Sequence, residues 1–108
     1  MDRIGKVYFK EAYAGELKPE GEGFCFTYDP DYLANGTPLG FNLPLRHPPF
    51  YCETLFPFFE NLVSEGWLRT LQARSQKIDF NDSFGLLLAN GRDLPGAVCI
   101  LKEDDALL

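Results

Sequence analysis

Few residues in this 108-residue chain could do chemistry, and their spacing works against most reactions. His47 is the single histidine, set in a loop between Arg46 and Pro48. A metal site or an acid–base pair would need partners at ligand or hydrogen-bonding spacing, and no His/Cys cluster supplies them. Cys25, Cys52 and Cys99 form an odd set with no close spacing, each among apolar neighbours. They read as reduced core thiols, not as a disulfide framework or a zinc site. Gly21-Glu-Gly23 opens like a nucleotide loop, but Phe26 stands where the third glycine of G-x-G-x-x-G belongs. There is no G-x-x-x-x-G-K, no serine elbow and no cysteine with a plausible base. Acidic pairs such as Asp104-Asp105 read as a solvated tail. The expectation is no catalytic residue, no bound metal and no cofactor.

The chemistry that remains is recognition. Ser64-Glu65-Gly66-Trp67-Leu68-Arg69 places the sole tryptophan directly after a glycine at an expected helix start. If Leu68 and Leu71 face the core, Trp67 lies about 100° around the helix from Leu68, at the margin of that face. Two readings stand for it. Trp67 closes the core, as most tryptophans do, or it is an anchor for a partner. Trp and Arg are the types most enriched in interface hot spots, and Gly66 has no side chain to shield its neighbour. The candidate partner-binding residues are Ser64, Glu65, Gly66, Trp67 and Arg69.

Elements that could position this segment follow from the hydrophobic pattern. Val7 to Tyr13 is β-rich, Ala14-Gly-Glu16 reads as a tight turn, and Glu16-Leu17 begins a return strand. Glu20-Gly-Glu-Gly23 is a second turn. Phe24, Phe26 and Tyr28 then alternate as in a strand. Asp29 to Gly36 reads as a turn-rich link. Leu39 to Leu45 could be a strand that Pro44 confines to an edge or ends, and Arg46 to Pro49 is a rigid extended link. From Leu55 the period turns helical. Pro57 fits a first turn, with Phe58, Phe59, Leu62 and Val63 at helical spacing. A second helix is expected from Glu65 to Ser75, with Leu68 and Leu71 inward. A third, capped by Asn81 or Asp82, carries Phe84, Leu87 and Leu88, and Asn90-Gly91 closes it. Gly96 to Lys102 is a final strand. Phe58, Leu62, Leu68 and Leu71 are expected in the core, with Gly96-Ala97 close against neighbouring backbone. Strands, then helices, then a strand rejoining the sheet indicate an α+β class: a small, mostly antiparallel or mixed sheet with about three helices.

Composition supports one domain over residues 1–108, its last few residues a tail. Hydrophobic residues make up 45% and charged residues 24%, an ordinary globular balance. Net charge is 10 − 16 = −6. Residues 1–54 and 55–108 each carry 5 basic and 8 acidic groups, so no basic stripe exists for nucleic acid or an anionic membrane. No apolar run approaches a membrane span, and the charged N-terminus lacks the centre of a signal peptide. A cytoplasmic location is expected. The sequons Asn35-Gly-Thr37 and Asn81-Asp-Ser83 then mean only a turn and a helix cap.

Three segments together resemble the N-terminal subdomain of HipA-type serine/threonine kinases. They are Val7 to Leu17, with Ala14-Gly-Glu-Leu17; Phe41-Asn-Leu-Pro-Leu45 followed by Phe56-Pro-Phe-Phe-Glu-Asn-Leu62, Glu65-Gly66 and Arg69; and Gly91-Arg-Asp-Leu-Pro-Gly-Ala-Val98. Their order matches from about residue 5 to 102. Ser64 departs from the pattern, since the family often has proline before Glu-Gly. The resemblance stops where the kinase would start, because the chain holds no phosphate loop, strand lysine or catalytic Asp with a metal-binding Asn. It is similar to free-standing HipS-like proteins of tripartite HipBST toxin–antitoxin systems. The resemblance implies a non-catalytic antitoxin that inhibits a HipT-like kinase toxin in trans, alongside a helix-turn-helix HipB-like protein. The alternative is the same subdomain as a fragment of a full-length HipA-type kinase.

Overall fold

A computed structural model describes residues 3–40, 42–94 and 96–102. The first hairpin joins β1 (Gly5–Phe9) to β2 (Ala12–Glu20). Lys10 and Glu11 between them have φ of 50° and 70°. Two left-handed residues in succession make the tight reversal whose twist suits antiparallel strands. The turn expected at Ala14-Gly-Glu16 is therefore corrected, because these residues lie inside β2. Gly15 is small for another reason: a Cβ there would fall 2.2 Å from the Thr27 carbonyl oxygen on the next strand. That strand, β3 (Gly23–Tyr28), follows the expected second turn, where Gly21 has φ +57°. With β4 (Phe50–Cys52) and β5 (Val98–Lys102) the sheet runs β4-β3-β2-β1-β5, antiparallel throughout.

The link expected at 29–36 contains a helix, α1 (Pro30–Asn35). Asp29 caps it by accepting from the Asp31 amide at 3.1 Å, and Pro30 holds the first position. Asp-Pro suits a turn and a helix start equally well, so the sequence alone does not separate them. Among the described residues of 39–45 no strand forms. Leu39 and Leu43 are buried in irregular chain, and the Tyr28 phenol takes over their backbone groups. It accepts from the Leu39 amide at 3.1 Å and donates to the Leu43 carbonyl. Phe41 and Pro95 of the resembling segments lie outside the described residues, as do Asp104, Asp105 and the rest of the expected tail.

Three further helices complete an α+β fold: α2 (Pro57–Glu60), α3 (Gly66–Ser75) and α4 (Ser83–Ala89). Four helices thus stand among the described residues, α1 being the one not expected. Val7, Leu17, Phe26, Phe59, Phe84 and Ile100 form the centre of the core. Phe59 meets Phe26 with ring centroids 5.6 Å apart and Phe58 edge-on at 5.2 Å. Phe58 and Leu62 are partly buried against this cluster.

Two expected core contacts are corrected. Leu68 is 39% and Leu71 53% exposed, so both point away from the core. Helical period identifies a face, not the side the core is on. Here α3 turns Ala73, Arg69 and Gln72 inward instead. Gln76 and Asn90 join α3 to the end of α4 by two amide bonds of 2.8 and 3.1 Å. Gly96 and Ala97 are exposed, and Gly96 serves the backbone with φ +79° and open space around it. In this part of the chain the glycine held close to backbone is Gly91, whose carbonyl accepts from the Ile100 amide at 2.9 Å on the outer edge of β5.

The exposure of the two leucines sets an expected outcome. Leu68→Ala and Leu71→Ala should each cost under about 1 kcal/mol in urea melts, against about 3–5 kcal/mol for Phe59→Ala. A loss above about 2 kcal/mol for either leucine would place α3 the other way round.

Candidate functional site

Helix α3 starts without a side-chain cap. Glu65 is extended at φ −122° and ψ 170°, and its carboxylate makes no capping bond. Gly66 follows at φ +60° with nothing within 4 Å of where a Cβ would sit. Glycine is required there by backbone conformation alone. The chain thus enters the helix through an open bend, and Trp67 stands beyond it at 77% exposure. An indole left so exposed is poorly used by the fold, since aromatic area stabilises only when removed from water.

Trp67 shares its helix face with Leu71 one turn later, while Leu68 flanks it about 100° around. These exposed apolar side chains on one short helix form a patch that a partner can cover. The opposite face is tied down. The Arg69 guanidinium donates to the Phe80 carbonyl oxygen from Nε at 2.9 Å and from Nη2 at 2.7 Å. Nη2 also donates to Ser83 Oγ at 2.9 Å, and Nη1 approaches Glu60 Oε2 at 3.5 Å. Ser83 Oγ in turn donates to the same Glu60 oxygen at 3.0 Å. Arg69 further lies over the Phe80 ring at 4.9 Å, and its side chain is only 13% exposed. It joins α2, α3 and the start of α4, which fixes the pitch at which α3 presents Trp67.

The start of α4 is itself held. Asp82 accepts from the Gly85 amide at 3.0 Å and pairs with Arg3 at 2.7 Å. Burial alone would raise the Asp82 carboxyl. The Arg3 guanidinium and the Gly85 amide outweigh that and hold it below the usual carboxylate value.

The five sequence candidates therefore separate by position. Glu65, Gly66 and Trp67 are exposed at the helix start. Ser64 is half-buried in a small recess with Val63 and Gln72. Arg69 faces inward and positions the helix. Leu71 and Arg74, exposed on the face of Trp67, were not among the candidates. Their signal is the i, i+4, i+7 spacing from Trp67, which the expectation of Leu71 in the core conceals. Among the described residues no group of three or more His, Cys, Asp or Glu could hold a metal ion. No helix there is long and apolar enough to cross a membrane.

Known proteins resemble the chain over nearly all of it. The family described as the HipA N-terminal domain matches residues 5–101. An uncharacterised protein of Haemophilus influenzae is 45% identical over 101 residues, covering 94% of this chain and 93% of its own length. The Sinorhizobium fredii protein Y4mE, a kinase by designation, is 30% identical over 105 residues. That match covers 94% of this chain and 25% of Y4mE. A solved N-terminal domain of HipA toxin superposes with a TM-score of 0.75 at 39% identity, covering 96% of this chain and 95% of that one. A Shewanella oneidensis HipA chain, solved with HipB and operator DNA, superposes with a TM-score of 0.76 over 95% of this chain and 24% of that one. At 22% identity this second likeness speaks to the fold. The chain thus spans about a quarter of the length of the two larger proteins.

Proposed function

The chain belongs to the HipA N-terminal domain family, and from that premise we propose that it is a non-catalytic antitoxin that binds and inhibits a HipA/HipT-like serine/threonine kinase in trans. One observation carries the reading. Trp67, with Leu71 beside it, is held outward on a helix whose other face is fastened to the fold. A large aromatic seated in a desolvated pocket can contribute several kcal/mol to binding. The reading places Trp67 in a pocket of the kinase cleft, with Ser64, Glu65 and Gly66 at its rim. The net charge of −6 suits a cleft that otherwise receives nucleotide phosphates. A relative from Haemophilus influenzae that matches over 93% of its own length supports a protein built of this domain alone.

The second reading is an N-terminal subdomain of a longer HipA-type kinase. The 25% coverage of Y4mE favours it. The same α3 face would then pack in cis on the kinase body. In both readings the surface is one and only its attachment differs. The location proposed is cytoplasmic, where such a kinase acts. A helix-turn-helix HipB-like protein would join the larger complex. Direct DNA contact is not assigned to this chain, since clustered Lys and Arg are lacking.

The test is titration. The purified chain is added to a cognate HipA-type kinase, and phosphoryl transfer is followed. Transfer should fall to background near one chain per kinase. Undiminished transfer at saturating chain, or no complex by gel filtration, would remove the antitoxin reading.

A further inference from the structure

Helix α3 carries more than one anchor on its free face. Trp67, Leu71 and Arg74 stand at i, i+4 and i+7, within about 60° of arc, which is the reading frame of a helix laid in a groove. With Thr70 and Ser75 they line a hollow of about 560 Å³ on the outside of the helix. The two hydroxyls of that hollow are already used. Thr70 Oγ1 donates to the Gly66 carbonyl at 3.3 Å, and Ser75 Oγ donates to the Leu71 carbonyl at 2.8 Å. Arg74 differs from them and from Arg3 and Arg69. Among the described residues its guanidinium has no hydrogen bond, ion pair or ring partner. The hollow is therefore apolar, with one unsatisfied cation at the last turn.

We infer that α3 docks along its length in an apolar groove of the kinase, and that a carboxylate of that kinase meets Arg74. This rests on the kinase-binding reading above and adds the chemistry of the partner surface. Covering Trp67 and Leu71 dehydrates the guanidinium beside them. An arginine taken from water without an anion is costly, so a groove that seats this hollow must supply one. Arginine offers a carboxylate two parallel bonds, which gives orientation as well as attraction. A single charged end also sets direction. A helix docked in reverse would bring Arg74 to the wrong end of the groove and lose the pair.

The experiment measures affinity of the full chain for the cognate kinase, without nucleotide and with ATP, across a range of NaCl. Variants are Trp67→Ala, Leu71→Ala, Arg74→Glu and Arg74→Lys, each checked by thermal melt. Leu71→Ala should weaken binding about tenfold. Arg74→Glu should weaken it by more than about tenfold at low salt, with the gap narrowing as salt rises. Arg74→Lys should keep part of the affinity, as a point charge lacking the fork. Wild-type binding that survives Leu71→Ala and Arg74→Glu unchanged, while Trp67→Ala abolishes it, overturns this inference alone. An Arg74 effect that appears only with ATP bound also overturns it, since the anion would then be a phosphate. Absence of any complex with the wild-type chain overturns the kinase-binding reading and this inference together.

Discussion

Replacing Trp67 by alanine will leave the fold standing and remove most of the affinity for the kinase. With 77% of its surface already in water, Trp67 contributes little that folding could lose. The free variant should melt within about 1 kcal/mol of wild type. Binding should weaken by at least about 2 kcal/mol, a loss of roughly thirtyfold or more. Growth rescue on co-expression with the kinase should fail in parallel. A buried tryptophan would behave in the opposite way, losing about 3–5 kcal/mol of stability and affecting binding only through unfolding. The paired measurement of melt and affinity separates the two. A variant that folds normally and still neutralises the kinase at wild-type levels would take Trp67 out of the site.

Gly91→Ala should damage the fold more than any change on α3. Gly91 is buried, and its φ is not among the positive ones, so an alanine finds no objection in backbone conformation. The objection is space. A Cβ there would lie 1.7 Å from the Ile100 carbonyl oxygen and 2.7 Å from its carbon. Both are backbone atoms of β5, and the Ile100 amide bonds the Gly91 carbonyl at 2.9 Å. Relief would require the strand to leave β1 or the chain to leave the strand. A loss of about 4 kcal/mol or more is expected in urea melts. Gly96→Ala serves as the contrast. It has open space but a left-handed φ of +79°, so about 1–3 kcal/mol of strain is expected. If Gly91→Ala melted within about 1 kcal/mol of wild type, the edge of β5 would not be closed by this crossing.

Local sequence pattern was enough to place β3, a helix start at Pro57, a second near Glu65, a third capped by Asn81 or Asp82, of which the structure uses Asp82, and the return of the last strand to the sheet. Those features rest on local chemistry: a proline that suits a first turn, an aspartate that caps, a period of two or of 3.6. The segments from Ala14-Gly-Glu-Leu17 to the terminal glycine–alanine pair likewise carried the family.

Tertiary structure decided what local chemistry leaves degenerate. Lys10-Glu11 has no glycine or asparagine to announce a tight turn, and only pairing of Val7 with Gly15 and Ile100 sets that reversal. Asp29-Pro30 suits a turn or a helix, and the burial of Tyr32 beneath α1 selects the helix. Gly91 and Gly96 look alike in sequence, yet one answers a carbonyl oxygen that a Cβ would meet at 1.7 Å and the other a positive φ. The side of α3 that faces out was the largest such choice. Its leucines suggested one answer by hydrophobicity. Arg69, bonded to Glu60 of α2 and to Phe80 and Ser83 at the start of α4, imposed the other. Residues 9 to 14 positions away in sequence hold that guanidinium, so no local window contains the information that turns Trp67 and Leu71 outward.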